Sequence, residues 1–268
     1  GKAAPYVSQV GRVNDSWQYL PFHQRSDGGW YQAPAFEEAG IDLQAIRTYE
    51  DLFEATLAVS KPEEELYGWG TTVNRSGDGN FFINRIKTGY GAGWQDETGE
   101  YIATNSPEMI EAMNVVKAVY TDEKYAPMLP PGVLAWGDIS NNEAYLGGIL
   151  AYTSNGGTVY AKALVDENPI AEITHYHKPP GGPVNQEFMS MGSTNWYFLK
   201  GAKNPEAARQ MAVDFTSELE RVDAMLASSP SYALPAYTDL RDMSETAQAN
   251  EVTMQMKNGA LDESGIDA

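Results

Sequence analysis

Helix-start signals alternate with short β-rich runs along this chain, and this alternation constrains the fold more than any other feature. Three predicted helices open at Thr48, Ser106 and Asn204, where a capping residue precedes a proline or an early acid. The runs between them are rich in β-branched and aromatic residues: Trp69–Val73, Ile149–Thr153, Ile173–Tyr176 and Trp196–Leu199. Amphipathic helices that alternate with strands cover the faces of a sheet, so the sequence predicts an α/β fold.

Three loop-dense stretches separate these elements, at residues 74–80, 125–138 and 178–185. The last stretch contains Pro179-Pro180-Gly181-Gly182-Pro183, and both residue types interrupt helices and strands. This segment therefore predicts either a connection between two lobes or a surface turn.

Composition excludes several classes of protein. The chain has 268 residues, 42% of them apolar, which is enough for a large core and argues against disorder. It carries 37 acidic and 18 basic residues, a formal net charge of -19. Nucleic acid is therefore not an expected partner, because a phosphate backbone is bound through Lys and Arg. Cysteine is absent, and the best apolar run, Tyr145–Tyr152, is far shorter than the roughly 20 residues that span a bilayer.

Four passages of the chain carry a family pattern. The first runs from Pro21 through Tyr31-Gln32 and Phe36-Glu37-Glu38-Ala39-Gly40 to Thr48–Leu52. The other three are Asn142–Ala151 with the turn Tyr152–Gly157, Gly192–Trp196 with Lys200–Ala208, and Tyr232–Pro235. In this order they resemble the extracellular solute-binding proteins of bacterial ABC importers, especially the sugar-binding, maltose-binding-protein-like group, which usually has Asn at the position of Gln32.

The resemblance implies a two-lobed, periplasmic-binding-protein-like fold of type II with a hinge between the lobes. It assigns residues 1–22 to a lobe I segment and the first crossover, 23–190 to lobe II, 191–237 to the returning segment of lobe I, and 238–268 to a crossover and the start of C-terminal lobe II helices. The family pattern also has a long part before the first match and final helices after the last. A fragment is therefore expected, with apolar lobe I surface exposed from Trp196 to Phe215 and a tendency to self-associate.

The same resemblance implies a receptor and not an enzyme. Its lobes would close over a sugar or related polyol, which then passes unchanged to the membrane permease subunits. No cofactor is expected, and the complete protein is expected to be a monomer. It would lie in the periplasm or outside the cell, exported by a signal peptide that this chain does not contain.

A polyol presents many hydroxyl groups and apolar C–H faces, so planar polar side chains and aromatic platforms are the expected binding groups. Family position and side-chain type together select ten residues: Gln24, Arg25, Asp27, Asn74, Arg75, Asp78, Trp136, Asn155, Asn195 and Trp196. Asn155 also ends a predicted strand, where open α/β sheets bind ligands. Plainer interpretations stay open, among them a surface ion pair between Arg25 and Asp27 and core packing for the two tryptophans.

Other functions stay open from the residues alone. A carbohydrate-active hydrolase needs two carboxylates at a working distance, and 37 acids supply such a pair in almost any fold. A receptor of the same family for a polyol phosphate or an organic anion would use Arg25 and Arg75. Metal binding by His175 and His177, which share one face of a predicted strand, lacks a visible third ligand.

Overall fold

The computed structural model describes residues 3–4, 7–8, 11–95, 98–100, 104–186, 191–228 and 233–246. Its strands are β1 Arg12–Val13, β2 Ser16–Trp17, β3 Leu20–Gln32, β4 Tyr67–Trp69, β5 Leu150–Gly156, β6 Thr174–His177, β7 Met191–Trp196 and β8 Leu234–Pro235. Its helices are α1 Ala33–Glu38, α2 Tyr49–Ala58, α3 Gly77–Gly89, α4 Pro107–Thr121, α5 Ser140–Leu146, α6 Thr158–Val165, α7 Pro205–Ser217, α8 Leu219–Ser228 and α9 Thr238–Met243. The predicted α/β class is confirmed. Within the described residues, no helix has the length and apolar character needed to cross a bilayer.

The chain divides into two compact units. Unit 1 comprises Gly1–Asp27, Gly156–Asp166 and Met189–Ala268, and unit 2 comprises Gly28–Asn155 and Glu167–Phe188. This division differs from the predicted lobes, because α6 and α9 both belong to unit 1. The predicted lobe boundaries stay a prediction, and most of the segment 238–268, like the motif residue Tyr232, lies outside the described residues.

Unit 2 is built on a sheet whose strands run in the order β4-β5-β3-β6. β4 is parallel to β5, and β6 is antiparallel to the last four residues of β3. Trp69 and Tyr152 are register partners on β4 and β5, and their rings stack with centroids 5.6 Å apart. The ring of Phe53 in α2 packs edge-to-face against the ring of Trp69, with centroids 5.1 Å apart. An aromatic core therefore joins the sheet of unit 2 to its helices.

Unit 1 has smaller hydrophobic clusters among its described residues. β7 and β8 both pair in antiparallel fashion with the first part of β3. One cluster joins Val222 and Leu226 of α8 to Leu240 of α9, and another contains Ala4 and Ala236. The buried members of these clusters are aliphatic or small side chains, and the partly buried Tyr237 packs against both clusters.

The helix-start predictions hold, but the predicted apolar stripes are partly wrong. Helix α7 begins at Pro205 as expected, yet Met211 and Phe215 from its stripe are 48% and 39% exposed and Ala212 alone is fully buried. Helix α4 begins at Pro107, and Ile110 from its stripe is 52% exposed. Apolar side chains in the segment 196–215, among them Met211 and Phe215, are therefore exposed as predicted.

The sequence patterns miss β3 and α3. β3 is a 13-residue strand that contains Pro21 and Gly28-Gly29, residues that read as turn signals. A Cβ on Gly29 would lie 1.8 Å from the hydroxyl oxygen of Tyr152, so glycine is required there for packing. Helix α3 begins at Gly77, inside the predicted loop 74–80, because the Ser76 hydroxyl accepts a hydrogen bond from the Gly79 amide at 3.1 Å and caps it.

Two other segments also differ from the prediction. The predicted strand Trp196–Leu199 is wrong, since β7 ends at Trp196. The Pro-Gly segment 179–183 lies inside unit 2 and does not connect the units. The Gly181 amide donates to the Arg47 carbonyl at 2.9 Å, and the Gly181 carbonyl accepts from the Tyr49 amide at 3.0 Å.

Candidate functional site

Polar side chains collect in unit 2 where the parallel strands β4 and β5 end. The Thr153 hydroxyl donates to the Gly70 carbonyl at 2.9 Å, and the Thr72 hydroxyl donates to the Trp136 carbonyl at 2.8 Å. Asn155 is 5% exposed, and its side-chain amide donates to the side-chain oxygen of Asn142. The backbone carbonyl of Asn155 accepts from the Trp30 indole at 3.3 Å. Carboxyl ends of parallel strands meet at one edge of a sheet, which is a usual place for ligands in α/β folds.

The structure brings Asn74 and Trp136 together. The Asn74 side-chain amide donates to the carbonyls of Leu134 and Trp136, at 2.9 and 2.8 Å. The Trp136 ring lies over the backbone of Gly70, where a Cβ would come within 2.9 Å of the ring. Asn74 therefore fixes the loop that carries a half-buried indole beside the end of β4.

The N-terminus of α3 lies beside this loop. The Asp138 carboxylate accepts hydrogen bonds from the Gly77 amide at 3.1 Å and the Asp78 amide at 2.9 Å. These two backbone donors lower the pKa of Asp138, so the group stays ionised at neutral pH. The Asp78 carboxylate accepts from the side-chain amide of Asn141 at 3.0 Å. Arg75 is exposed in the segment just before α3.

In unit 1, three predicted residues lie on β3. Gln24 is fully buried, and its side-chain oxygen accepts from the Arg241 guanidinium, which also donates to the Pro235 carbonyl at 2.8 Å. Gln24 thus holds β3 to α9. Asp27 is 6% exposed, and a Cβ on Gly156 would lie 3.0 Å from its carboxylate, so glycine permits this close approach.

Arg25 lies against Gly192 of β7, where a Cβ would come within 2.8 Å of its guanidinium. Burial, with the Arg25 charge as a second cause, lowers the pKa of the neighbouring His23 to about 4. Asn195 bonds to Ser193 on its own strand, accepting from the hydroxyl at 2.8 Å and donating to the carbonyl at 3.1 Å. The Trp196 ring centroid lies 5.1 Å from that of Phe22.

The ten predicted residues therefore fall into two groups. Asn74, Arg75, Asp78, Trp136 and Asn155 lie in unit 2, and Gln24, Arg25, Asp27, Asn195 and Trp196 lie in unit 1. Sequence reasoning missed four polar residues that organise the unit 2 group: Thr72, Asp138, Asn141 and Asn142. The Asn141-Asn142 pair, two polar amides in the first turn of a short helix, was the available signal.

The histidine pair contributes to packing in unit 2. His177 is 1% exposed, its Nδ1 lies 3.0 Å from the Tyr152 hydroxyl, and burial lowers its pKa to about 4. His175 lies beside Tyr31, with ring centroids 5.8 Å apart. Across the described part of the chain, His, Cys, Asp and Glu side chains form no group of three or more placed to hold a metal ion.

A pocket of about 520 Å³ lies in unit 1, where Trp17, Tyr19, Phe198 and Tyr237 supply aromatic walls. A second pocket of about 330 Å³ lies in unit 2 between the end of α4 and residues 126–134. None of the ten predicted residues lines either pocket.

Several solved structures share this fold at low sequence identity. T. maritima MalE3 with bound maltose has a TM-score of 0.79 and 18% identity over 96% of this chain and 64% of its own. A Thermotoga lettingae solute-binding protein bound with α-D-tagatose has a TM-score of 0.77 and 17% identity over 95% of this chain and 62% of its own. An Agrobacterium vitis solute-binding protein with bound D-mannitol has a TM-score of 0.75 and 20% identity over 96% of this chain and 61% of its own.

The chain thus spans less than two thirds of the length of these solved chains. No curated protein sequence matches it. The structural likeness confirms the predicted two-lobed, periplasmic-binding-protein-like α/β fold. Residues 1–217 match the family described as bacterial extracellular solute-binding protein, and the chain belongs to that family.

Proposed function

We propose that this protein is the solute receptor of an ABC importer and that it binds a sugar or a related polyol. The observation that carries the proposal is the polar edge of unit 2. There Asn74 and Asn155 lie close to the ends of two parallel strands, and Trp136 offers part of an indole face. Planar amides, carboxylates and an aromatic face suit a ligand with hydroxyl groups and C–H faces.

Family membership and the solved relatives support the same class of ligand. The three solved chains described above hold maltose, α-D-tagatose and D-mannitol, which are sugars or a polyol. We extend this class to the present chain. We also propose a periplasmic or extracellular location, delivery to the transmembrane subunits of the importer, and binding without turnover. Capture between two closing lobes stays a prediction.

A thermal-shift screen with maltose, D-tagatose, ribitol and D-mannitol tests the proposal. A ligand that binds only the folded state stabilises it by about 2.7 kcal/mol at a concentration of 100 times Kd, so a saturable rise in Tm is expected. Chromatography of the ligand after incubation should recover it unchanged. A rise in Tm with a new product would favour the hydrolase, and no rise with any sugar or polyol would contradict the proposal.

Two variants connect binding to the unit 2 edge. Trp136→Ala should weaken binding by roughly two- to twelve-fold, because stacking on an aromatic face contributes about 0.5–1.5 kcal/mol. Trp94→Ala is the matched control, since Trp94 is also in unit 2 and is 47% exposed. Equal effects of the two substitutions on Kd would show that Trp136 is not part of the binding site.

A further inference from the structure

The segment that carries Trp136 is held by hydrogen bonds more than by packing. Between residues 134 and 139 only Trp136 is partly buried, and the side chains of Leu134 and Ile139 are 57% and 69% exposed. A pocket of about 330 Å³ lies between the end of α4 and residues 126–134. Apolar contacts therefore do little to fix this segment, so its polar contacts decide where the indole lies.

Two side chains hold the backbone of Trp136 to the residues that follow β4. The Thr72 hydroxyl and the Asn74 side-chain amide both donate to the Trp136 carbonyl, each at 2.8 Å. The same Asn74 amide donates to the Leu134 carbonyl at 2.9 Å. These contacts hold the chain up to Trp136 itself, and the residues that follow it need a separate anchor.

Asp138 provides that anchor. Its Oδ2 accepts a hydrogen bond from the Gly77 amide at 3.1 Å, and its Oδ1 accepts one from the Asp78 amide at 2.9 Å. Both donors belong to the first turn of α3, where amides without a partner inside the helix favour a carboxylate. Two bonds from one planar group fix its orientation as well as its position. The Trp136 segment is thus tied to the start of a helix.

We propose that Asp138 is a positioning residue that holds the Trp136 indole in the orientation in which it contacts the solute. The inference rests on the proposed function, in which Trp136 is a contact residue, and it concerns a side chain that does not itself touch the solute. A binding group that is held in place before the ligand arrives loses less conformational entropy on binding, so this anchor should raise affinity. Its effect is limited to what Trp136 contributes.

Asp138→Asn tests the anchor without any solute. An amide has one oxygen in place of two, so the variant keeps one hydrogen bond and turns an N–H group towards the other backbone donor. The full chain labelled with 5-fluorotryptophan should give a fluorine NMR resonance for each of its six tryptophans, and Trp136→Phe identifies the one from Trp136.

In Asp138→Asn the Trp136 resonance should shift or broaden, because the indole samples more than one position. The resonances of Trp30 and Trp69, which are both fully buried in unit 2, should stay as they are and report an intact fold. An unchanged Trp136 resonance would overturn the proposal.

Asp42→Asn is the matched control. Asp42 is also an exposed aspartate of unit 2 that accepts a backbone hydrogen bond at the start of a helical turn, from the Gln44 amide at 2.9 Å. This substitution should leave the Trp136 resonance at its wild-type position. A shift as large as that of Asp138→Asn would show that the resonance responds to any lost carboxylate, which also contradicts the proposal.

Calorimetric titrations with maltose, D-tagatose, ribitol and D-mannitol show whether the anchor acts through the indole. Asp138→Asn alone should weaken binding by no more than the roughly two- to twelve-fold expected for Trp136→Ala. In the Trp136→Ala background the same substitution should change Kd by less than about two-fold, because no indole is left to position. Equal fold-changes in the two backgrounds would mean that Asp138 does not act through Trp136.

The two measurements separate this inference from the proposed function. If the wild-type chain bound none of the four solutes, the receptor proposal would fail, whereas the fluorine spectra would still decide whether Asp138 holds Trp136. If the chain bound one of them and Asp138→Asn left the Trp136 resonance unchanged, the receptor would stand and the positioning role of Asp138 would be wrong.

Discussion

Helices α4 and α7 begin with the same signal, a capping-type residue followed by Pro-Glu, but they are packed to different extents. Helix α4, in unit 2, buries Met109, Ala112 and Val119 and contributes to the aromatic core. Helix α7, in unit 1, buries Ala212 and Thr216 and leaves its larger apolar side chains exposed. A local signal therefore fixes where a helix begins, whereas the surface available nearby decides how much of the helix is buried.

The two units differ in the same way as their helices. In unit 2, rings of Tyr49, Phe53, Trp69, Phe82 and Tyr152 are at most 1% exposed and form one continuous cluster. In unit 1, the described clusters are small, and their buried members are alanine, valine and leucine. Burial of large rings stabilises a fold more than burial of small side chains, so unit 2 should carry most of the stability that the described residues provide.

The largest expected effect comes from a core tryptophan of unit 2. Trp69→Ala should lower the free energy of unfolding by about 3–5 kcal/mol, because it removes a fully buried ring that packs against Phe53 and Tyr152. Trp17→Ala in unit 1 removes a ring that is 46% exposed and should cost less than about 1 kcal/mol. Urea unfolding followed by circular dichroism gives both values, and similar losses would contradict the difference between the units.

Acid should destabilise both units through one buried imidazole each. Burial lowers the pKa of His177 in unit 2 and of His23 in unit 1 to about 4, below the ordinary value of 6.5. Since the folded pKa is the lower one, protonation favours unfolding. The stability that comes from keeping each of these histidines neutral is fully present above pH 6.5 and is lost as the pH falls towards 4.

For each histidine the loss amounts to about 3 kcal/mol at most, since one pKa unit corresponds to about 1.4 kcal/mol. Hydrogen exchange measured at pH 7 and pH 4.5 resolves the two units. His177→Gln should reduce the acid-induced exchange of unit 2 and leave that of unit 1 as it was. An unchanged pH dependence in unit 2 would show that His177 is not its source.

The exposed face of α7 predicts self-association. Replacing Met211 and Phe215 together by Gln should weaken association by about two- to ten-fold, because it removes two apolar groups from an exposed patch. Sedimentation velocity over a range of concentrations measures this change. Ile110→Gln on α4 is the control, because Ile110 is also exposed, at 52%. An equal effect of this substitution would show that self-association does not depend on α7 of unit 1.

The smallest expected effect concerns a surface ion pair in unit 1. Lys162 and Asp166 lie one helical turn apart at the end of α6, with Nζ and Oδ1 separated by 2.6 Å. A double-mutant cycle with Lys162→Met and Asp166→Asn should give a coupling of about 0.3–0.5 kcal/mol that decreases at high salt. A coupling above 1 kcal/mol would show that this ion pair stabilises unit 1 more than a solvent-exposed pair is expected to.

The parts of the fold that depend on short-range contacts could be predicted from the sequence. Thr48 caps α2 by accepting from the Asp51 amide at 3.2 Å, and Ser106 caps α4 by accepting from the Met109 amide at 3.3 Å. Both contacts span three residues, so the spacing is visible in the sequence. β3 was missed because its partners lie far along the chain, at 174–177 and 191–196, and because two glycines inside it serve ring packing.

The candidate site shows the same limit. Asn74 and Trp136 were selected separately, but the contact between them joins positions 62 residues apart and shows how the loop is held. Asp138 and Asn141 matter only because they meet Gly77 and Asp78 across a similar separation. Side-chain type can select candidates, whereas a network of this kind depends on long-range folding that one sequence does not display.

The segment from β6 through Asn185 also determines when unit 2 can fold. β6 pairs with residues 29–32, and the amides of Val184 and Asn185 both donate to the Gly89 carbonyl at 3.0 Å. During synthesis the ribosome makes about 5–20 residues per second, so the start of unit 2 waits on the order of ten seconds for this segment. Helix α6 of unit 1 emerges during that interval. Until the segment arrives, the aromatic rings of unit 2 lack one edge of their sheet, and a chaperone that binds apolar chain segments should recognise them most strongly at that stage.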